Sequence, residues 1–474
     1  MNVTWRVAIC LAAGLAMPPI LAHGGGIPVV RSTAESQKAL AVTVYTVGRG
    51  MITDTRRIEL PAGTVEVEFR NVAQSIIPET VGVDPGAGAT VLEQNYEYDL
   101  LSPQTLLAKY VGREIELEFE EPGKAPGEKV LRREPATLLS VNNGTVWRME
   151  GRIVLNPPYR RLFFPRIPES LRDRPTLVWR IKNAEAGPHT VQASYLANNM
   201  NWHADYVLAL GEDGTEGRFS GWITLDNKSG ATYRNASLRL IAGNLHTVAP
   251  EVRGPRLYKA RMAGESVQQE SFSEYHLYTV PRPVTIKERQ TKQIGLFGVD
   301  GVRVERSYRV GLGTIRFQSS QQNSAKVPVQ TYLSFENASA NHLGMPLPKG
   351  VVRVYRRHSD GSNQFVGEDR IDHTPKDESV SLELGTAFDL VAEARQTDFR
   401  RLATNLSESA WEVKLRNHKE RAVTIDVFAR LSSDWELLAH SHPWKKMNVA
   451  RVRFRVEVPA NGQQILTWRV RTRW

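Results

Sequence analysis

Apolar residues recur at every second position through most of this chain, and helical spacing is scarce. Alternation of period two places successive side chains on opposite faces of an extended strand, so the chain is constrained to sheets with one buried face. The clearest stretch is 198–246, which holds three strand-like runs, Tyr206–Leu210, Phe219–Leu225 and Ser237–Ile241. In the second run Phe219, Gly221, Ile223 and Leu225 share one face and Trp222 takes the other. Gly211-Glu212-Asp213-Gly214 and Asn227-Lys228-Ser229-Gly230 separate the runs, and such residues accept the positive φ of tight reversals at little cost. The stretch therefore predicts a three-strand antiparallel meander inside a sandwich.

A chain of 474 residues with 41% hydrophobic content can bury several cores and form more than one domain. Its first 22 residues carry Arg6, an apolar run from Val7 to Ile20, and Ala22 before His23-Gly24-Gly25. That order is the one found in secretory signal peptides, and the run is shorter than the roughly 20 residues a spanning helix needs. The lone cysteine, Cys10, lies within this segment. The processed chain is thus expected to have no disulfide, thiol nucleophile or cysteine ligand. No later window is apolar enough for a transmembrane helix. Export and a formal charge of +10 direct attention to anionic envelope glycans or lipids, or to another exported protein, as partners. Nothing calls for nucleic acid or a cofactor.

In chain order, a signal peptide (1–22) and a flexible lead-in (23–40) precede an N-terminal β domain (41–111). Pro61-Ala62-Gly63 supplies a hairpin-type turn there. Ser102-Pro103 starts a short helix whose Leu106, Leu107, Tyr110 and Val111 share a face and which Gly112 ends. Five short strands in 112–167 predict a small β-barrel-like module. A central β-sandwich domain (168–325) includes the opening stretch and an irregular loop over 249–274. A C-terminal β-sandwich domain (326–474) completes an all-β, multi-domain chain of antiparallel sandwiches with very little helix.

Four segments carry a resemblance: WHADYVLAL (202–210), GWITLDNKSGATYRNASLRLIAG (221–243), EYHLYTVPRPVTIKERQTKQIGLF (274–297) and GMPLPKGVVRVYRR (344–357). In these the chain resembles an exported bacterial domain-of-unknown-function family related to the mucoidy-inhibitor-A-like proteins. The likeness extends to VTVYTVGRGMITDTRRIELPAG near the front. It implies a β-rich envelope protein and brings no catalytic residue with it. Where those relatives commonly carry a long coiled-coil insertion, this chain has strands and a Pro/Gly loop.

Four groups of side chains are candidates for chemistry. His203 and Asp205 share a strand face, as a His–acid pair of a hydrolase does, or as a structural hydrogen-bonded pair does. His440 and His442, at i and i+2, suit a metal if extended and a surface loop otherwise. Asp372-His373 stands in a charged turn around Thr374-Pro375. At the C-terminus Val452, Phe454, Val456 and Val458 alternate with Arg451, Arg453 and Arg455, and Leu466, Trp468 and Val470 alternate with Arg469, Arg471 and Arg473. If those two strands pair, six arginines share one face. Either acids on adjoining strands, such as Glu412 and Asp426, offset the repulsion, or a polyanion or protein partner does. HExxH, Walker, GxSxG and Cys/His signatures do not occur. The arginines facing away from the apolar set also argue against a membrane-spanning barrel. The leading expectation is an exported, periplasmic or outer-membrane-associated, non-enzymatic binding or scaffold protein. The alternative is a hydrolase or metal-dependent enzyme using His203/Asp205 or His440/His442.

Overall fold

A computed structural model describes residues 26–243, 268–272, 275–314, 324–431 and 434–473. The expected signal segment and terminal Trp474 lie outside these residues. Among the described residues strands take up 67% and helices 4%, so the protein is all-β. Among the described residues no helix is long and apolar enough to cross a membrane.

Two compact units form, and neither is a continuous run of chain. One comprises Met1–Gln37, Arg56–Val72 and Val83–Gln192, and the other Lys38–Thr55, Ala73–Gly82 and Ala193–Trp474. The expected boundaries near 111 and 167 therefore fall inside one unit.

In the first unit, four strands run in the order Val29–Ser32, Gly63–Arg70, Thr176–Asn183, Ala89–Glu97. Val65, Val67, Phe69, Trp179 and Ile181 are buried at every second position, as the alternation requires. Pro61-Ala62-Gly63 is not a hairpin: Arg49–Leu60 and Gly63–Arg70 belong to different sheets. The helix Pro103–Lys109 begins at a full capping box, in which the Ser102 and Thr105 side chains each bond the other's backbone N–H. Tyr110, after this helix, is buried with Ile115, Leu117, Leu138 and Trp147 under a five-stranded sheet. That sheet, within the stretch expected to form a small β-barrel-like module, is an open path of strands from Arg152–Leu155 to Arg161–Phe163.

In the second unit the expected meander forms only in part. Met200–Leu210 and Glu216–Asn227 pair antiparallel across the Gly-Glu-Asp-Gly turn, where Gly214 has φ 72°. The third strand, Tyr233–Ala242, leaves for another sheet and lies parallel to Gln37–Tyr45. Asn227 accounts for the departure. It is fully buried, and its side-chain amide donates to the carbonyls of Ala231 (2.8 Å) and Lys287 (3.1 Å), which ties the turn to a neighbouring loop. Of the loop expected over 249–274, the described part, Gln268–Phe272, is a strand.

The division at 325 is crossed both ways. Gly350–Arg357 runs parallel to Met200–Leu210 in a five-stranded sheet, and Glu305–Thr314 joins the C-terminal sheet.

That C-terminal sheet has nine strands. Its end strands, Asp434–His440 and Trp444–Asn448, are separated by only three residues. Ser441 N–H donates to Thr467 O (2.9 Å) and Arg455 N–H to Pro443 O (3.1 Å), so this short crossing bonds to strands near both ends of the sheet. The sheet thus curls back on itself, and Trp411, Phe454 and Trp468 meet in its interior.

A buried asparagine recurs at strand ends after an apolar–charged pair: Ile181-Lys182-Asn183, Leu225-Asp226-Asn227, Phe335-Glu336-Asn337 and Leu415-Arg416-Asn417. Each donates its amide to two or three carbonyls. Asn417 also accepts from Lys419 N–H, as Asn227 does from Ser229 N–H. Removing such a group strands buried carbonyls at a cost of about 1–3 kcal/mol each. Asn417→Asp, which turns the donor into a carboxylate among carbonyls, should therefore destabilise the protein more than Asn417→Ala in urea unfolding. Phe388→Ala, at a side chain 96% exposed, should change stability by less than about 0.5 kcal/mol.

Candidate functional site: a cavity at the sheet crossing

The residues singled out from sequence do not converge on one catalytic constellation. His203 and Asp205 lie on the outer face of the five-stranded sheet, opposite buried Ala204 and Tyr206. His203 Nε2 is 3.1 Å from Asp205 Oδ2. The Thr224 hydroxyl donates to the same carboxylate (2.6 Å), and the Arg353 guanidinium donates to its other oxygen (3.0 Å). Burial pushes the Asp205 carboxyl up, but the bonds from Thr224 and Arg353 and the charge of His203 more than offset this and hold it below its ordinary range. Arg353 continues to Glu368 (3.2 Å), and Gln293 donates to Thr224 (3.3 Å). The pair is one link in a hydrogen-bonded row across neighbouring strands, and its acid is saturated by partners other than the imidazole.

The six arginines do not share a face. Arg451–Val458 pairs with Val423–Arg430 and Trp444–Asn448, whereas Gly462–Arg473 pairs with Leu406–Asn417 and Asp434–His440. The apolar residues of both strands enter one core, so their arginines point outward from two layers. Acids meet most of them. Asp426 lies 3.9 Å from Arg453 and 3.2 Å from Arg455. Asp398 lies 2.8 Å from Arg469, and Glu408 2.8 Å from Arg471, which also reaches Glu436 at 3.5 Å. Arg451 sits over the Phe428 ring at 4.4 Å. Of the two acids expected to offset the arginines, Asp426 does so, while Glu412 pairs with Arg395.

His440 and His442 do not form a joint ligand face. The chain leaves its strand between them, and His440 Nδ1 lies 3.1 Å from His442 O. Among the described residues no group of three His, Cys, Asp or Glu side chains is placed to hold a metal. The residue between them, passed over in the sequence, is the more informative. Ser441 Oγ accepts from Thr467 N–H (2.8 Å) and lies 2.8 Å from His442 Nδ1. Burial lowers the His442 pKa, which favours the neutral imidazole that this hydroxyl can donate to.

What the fold does bring together is a cavity of about 310 Å³ beside the crossing. Trp411, Thr467, Trp468 and Arg469 line it from paired strands, Thr397 from the next strand, and His440 and Ser441 from the crossing. Both flanking strands are irregular here: register shifts fall between Gln396 and Asp398 and between Leu437 and Ala439. Bulges of this kind re-aim side chains beside functional sites. The two indoles are nearly parallel, with centroids 6.3 Å apart and an interplanar angle of 14°. His440 packs edge-on against Trp444, which is 38% exposed. No linear motif marks this cavity, because its residues come from four separate segments.

Comparison with known proteins returns no matching family model and no curated protein similar to the chain.

Elsewhere in this unit, His373 in the charged turn is half-buried. Burial, with Lys349 and His276 nearby, lowers its pKa to about 4, and its Nδ1 accepts from Lys349 N–H at 3.2 Å. In the unfolded chain a histidine titrates near 6.5. The folded state therefore binds fewer protons between these values, and stability should fall as pH drops from about 6.5 to about 4. Thermal unfolding across that range should show the loss, and His373→Gln should flatten the profile. An unchanged slope in the variant would assign the effect to other groups.

Proposed function

We propose that the chain is an exported, non-enzymatic binding protein of the cell envelope, periplasmic or associated with the outer membrane. The signal-peptide pattern and the resemblance to an exported family support export. The observation that carries the binding reading is the engagement of its acid–base groups. The Asp205 carboxylate is shared among Thr224, Arg353 and His203, and four of the six C-terminal arginines already face acids. That matching also moves the reading from a bare polyanion face toward the open cavity at the crossing. The ligand would be an envelope glycan or lipid, or another exported protein.

One contact favours the hydrolase alternative, the Ser441 hydroxyl at 2.8 Å from His442 Nδ1. Such an approach is what a histidine-activated nucleophile needs. Yet Thr467 N–H donates into the same oxygen, so Ser441 also stands in for a strand carbonyl in the ladder. Osmotic-shock fractionation of cells making the full chain should recover it from the envelope, shortened near residue 22. Turnover of ester and glycoside substrates should not differ between the wild-type protein and Ser441→Ala. Retention in the cytoplasm, or turnover lost in the variant, would contradict the proposal.

A further inference from the structure

The cavity at the crossing has a composition that selects among ligand classes. Its single charged lining residue is Arg469. That guanidinium lies 2.8 Å from Asp398 and 4.0 Å from Glu408. Its hydrogen bond holds the Asp398 carboxyl below the ordinary range, so the pair stays ionised at neutral pH. A phosphate or carboxylate entering here would have to displace Asp398 from Arg469. A wholly apolar ligand fits no better, because it would cover the hydroxyls of Thr397 and Thr467 without bonding them, and a desolvated hydroxyl is costly. The His440 ring adds aromatic surface to the lining. The volume, about 310 Å³, stands at the small end of ligand sites, which run from about 300 to 1,000 Å³.

We propose that this cavity binds one uncharged, hydroxyl-bearing ring, a unit of a neutral saccharide, over Trp411 and Trp468 and beside His440. The proposal rests on the reading that the chain binds its ligand without turning it over. Ring hydroxyls supply donors and acceptors for Thr397, Thr467 and the His440 imidazole. The C–H face of the ring packs on the His440 ring. Arg469, already neutralised, donates to a ring oxygen without demanding charge.

The test uses the full chain and isothermal titration with chitotriose, cellotriose and maltotriose, and with sulfated dextran as a polyanion. At least one neutral trisaccharide should bind saturably, with an affinity that changes less than about twofold between 50 and 300 mM salt, since no counterion release accompanies it. His440→Ala and Thr397→Val, substitutions on the surface that leave the melting temperature in place, should each weaken binding by about tenfold, the loss of one good hydrogen bond or ring contact. Saccharide binding unchanged in both variants would overturn the assignment to this cavity. Binding of sulfated dextran alone, falling steeply with salt, would overturn the uncharged class while leaving a binding protein. No binding to any of the four probes would overturn the proposal outright. Release of reducing ends from a bound trisaccharide would instead contradict the non-enzymatic reading and leave the site in place.

Discussion

The C-terminal sheet depends on one short crossing. A flat nine-stranded sheet would hold its two end strands far apart and could not bury one face on itself. Here the end strands are consecutive in the sequence, and Ser441 and Pro443 bond to Thr467 and Arg455. The curl brings Phe454 and Trp468 into contact, with ring centroids 5.1 Å apart. Trp468 in turn lies beside Trp411, and valines from both layers fill the remaining space. The outward side chains follow from that geometry. Once the apolar residues of both strands enter a single core, their arginines must face away from it on two layers.

The crossing also creates the cavity. Where the chain leaves one end of the sheet for the other it cannot hold regular pairing, and the ladder slips near Leu438. The matching irregularity near Thr397 lies on the far side of the same row of residues. Between them Leu406–Asn417 and Gly462–Arg473 stay paired without a shift, so the cavity lies over an intact ladder flanked by two irregular ones. The segment that joins the two ends of the sheet therefore also borders the proposed binding site.

Much of this architecture is legible in the sequence, because a half-buried strand writes its faces in period two. Phe219, Ile223 and Leu225 are buried and Trp222 exposed, and Ala204 faces inward while His203 and Asp205 face outward. The helix after Ser102 is equally plain, since capping is local chemistry. Strand partners are not local. Tyr233–Ala242 looks like the third strand of a meander but pairs in parallel with a segment nearly two hundred residues earlier. The arginine strands, close in sequence and joined by a good turn, take different neighbours. The candidate site is the least visible. His440 and Arg469 stand out in the sequence for separate reasons, while Thr397 and Trp411, which complete the cavity with them, carry no motif. The asparagines that end four strands do have a signature in the sequence, an apolar–charged–Asn triplet. Its meaning emerges only when the carbonyls that each amide serves are known.

Native-state hydrogen exchange at single-residue resolution shows whether residues 441–443 tie together the two ends of the curled nine-stranded sheet. The amide hydrogens of Ser441, Arg455 and Thr467 donate the bonds of this crossing. Their protection should be close to that of the inner strands Leu406–Asn417 and Val423–Arg430. Exchange at the fast rates of a fraying edge would mean that the crossing does not hold, and that neither the curl of the sheet nor the cavity beside it persists in solution.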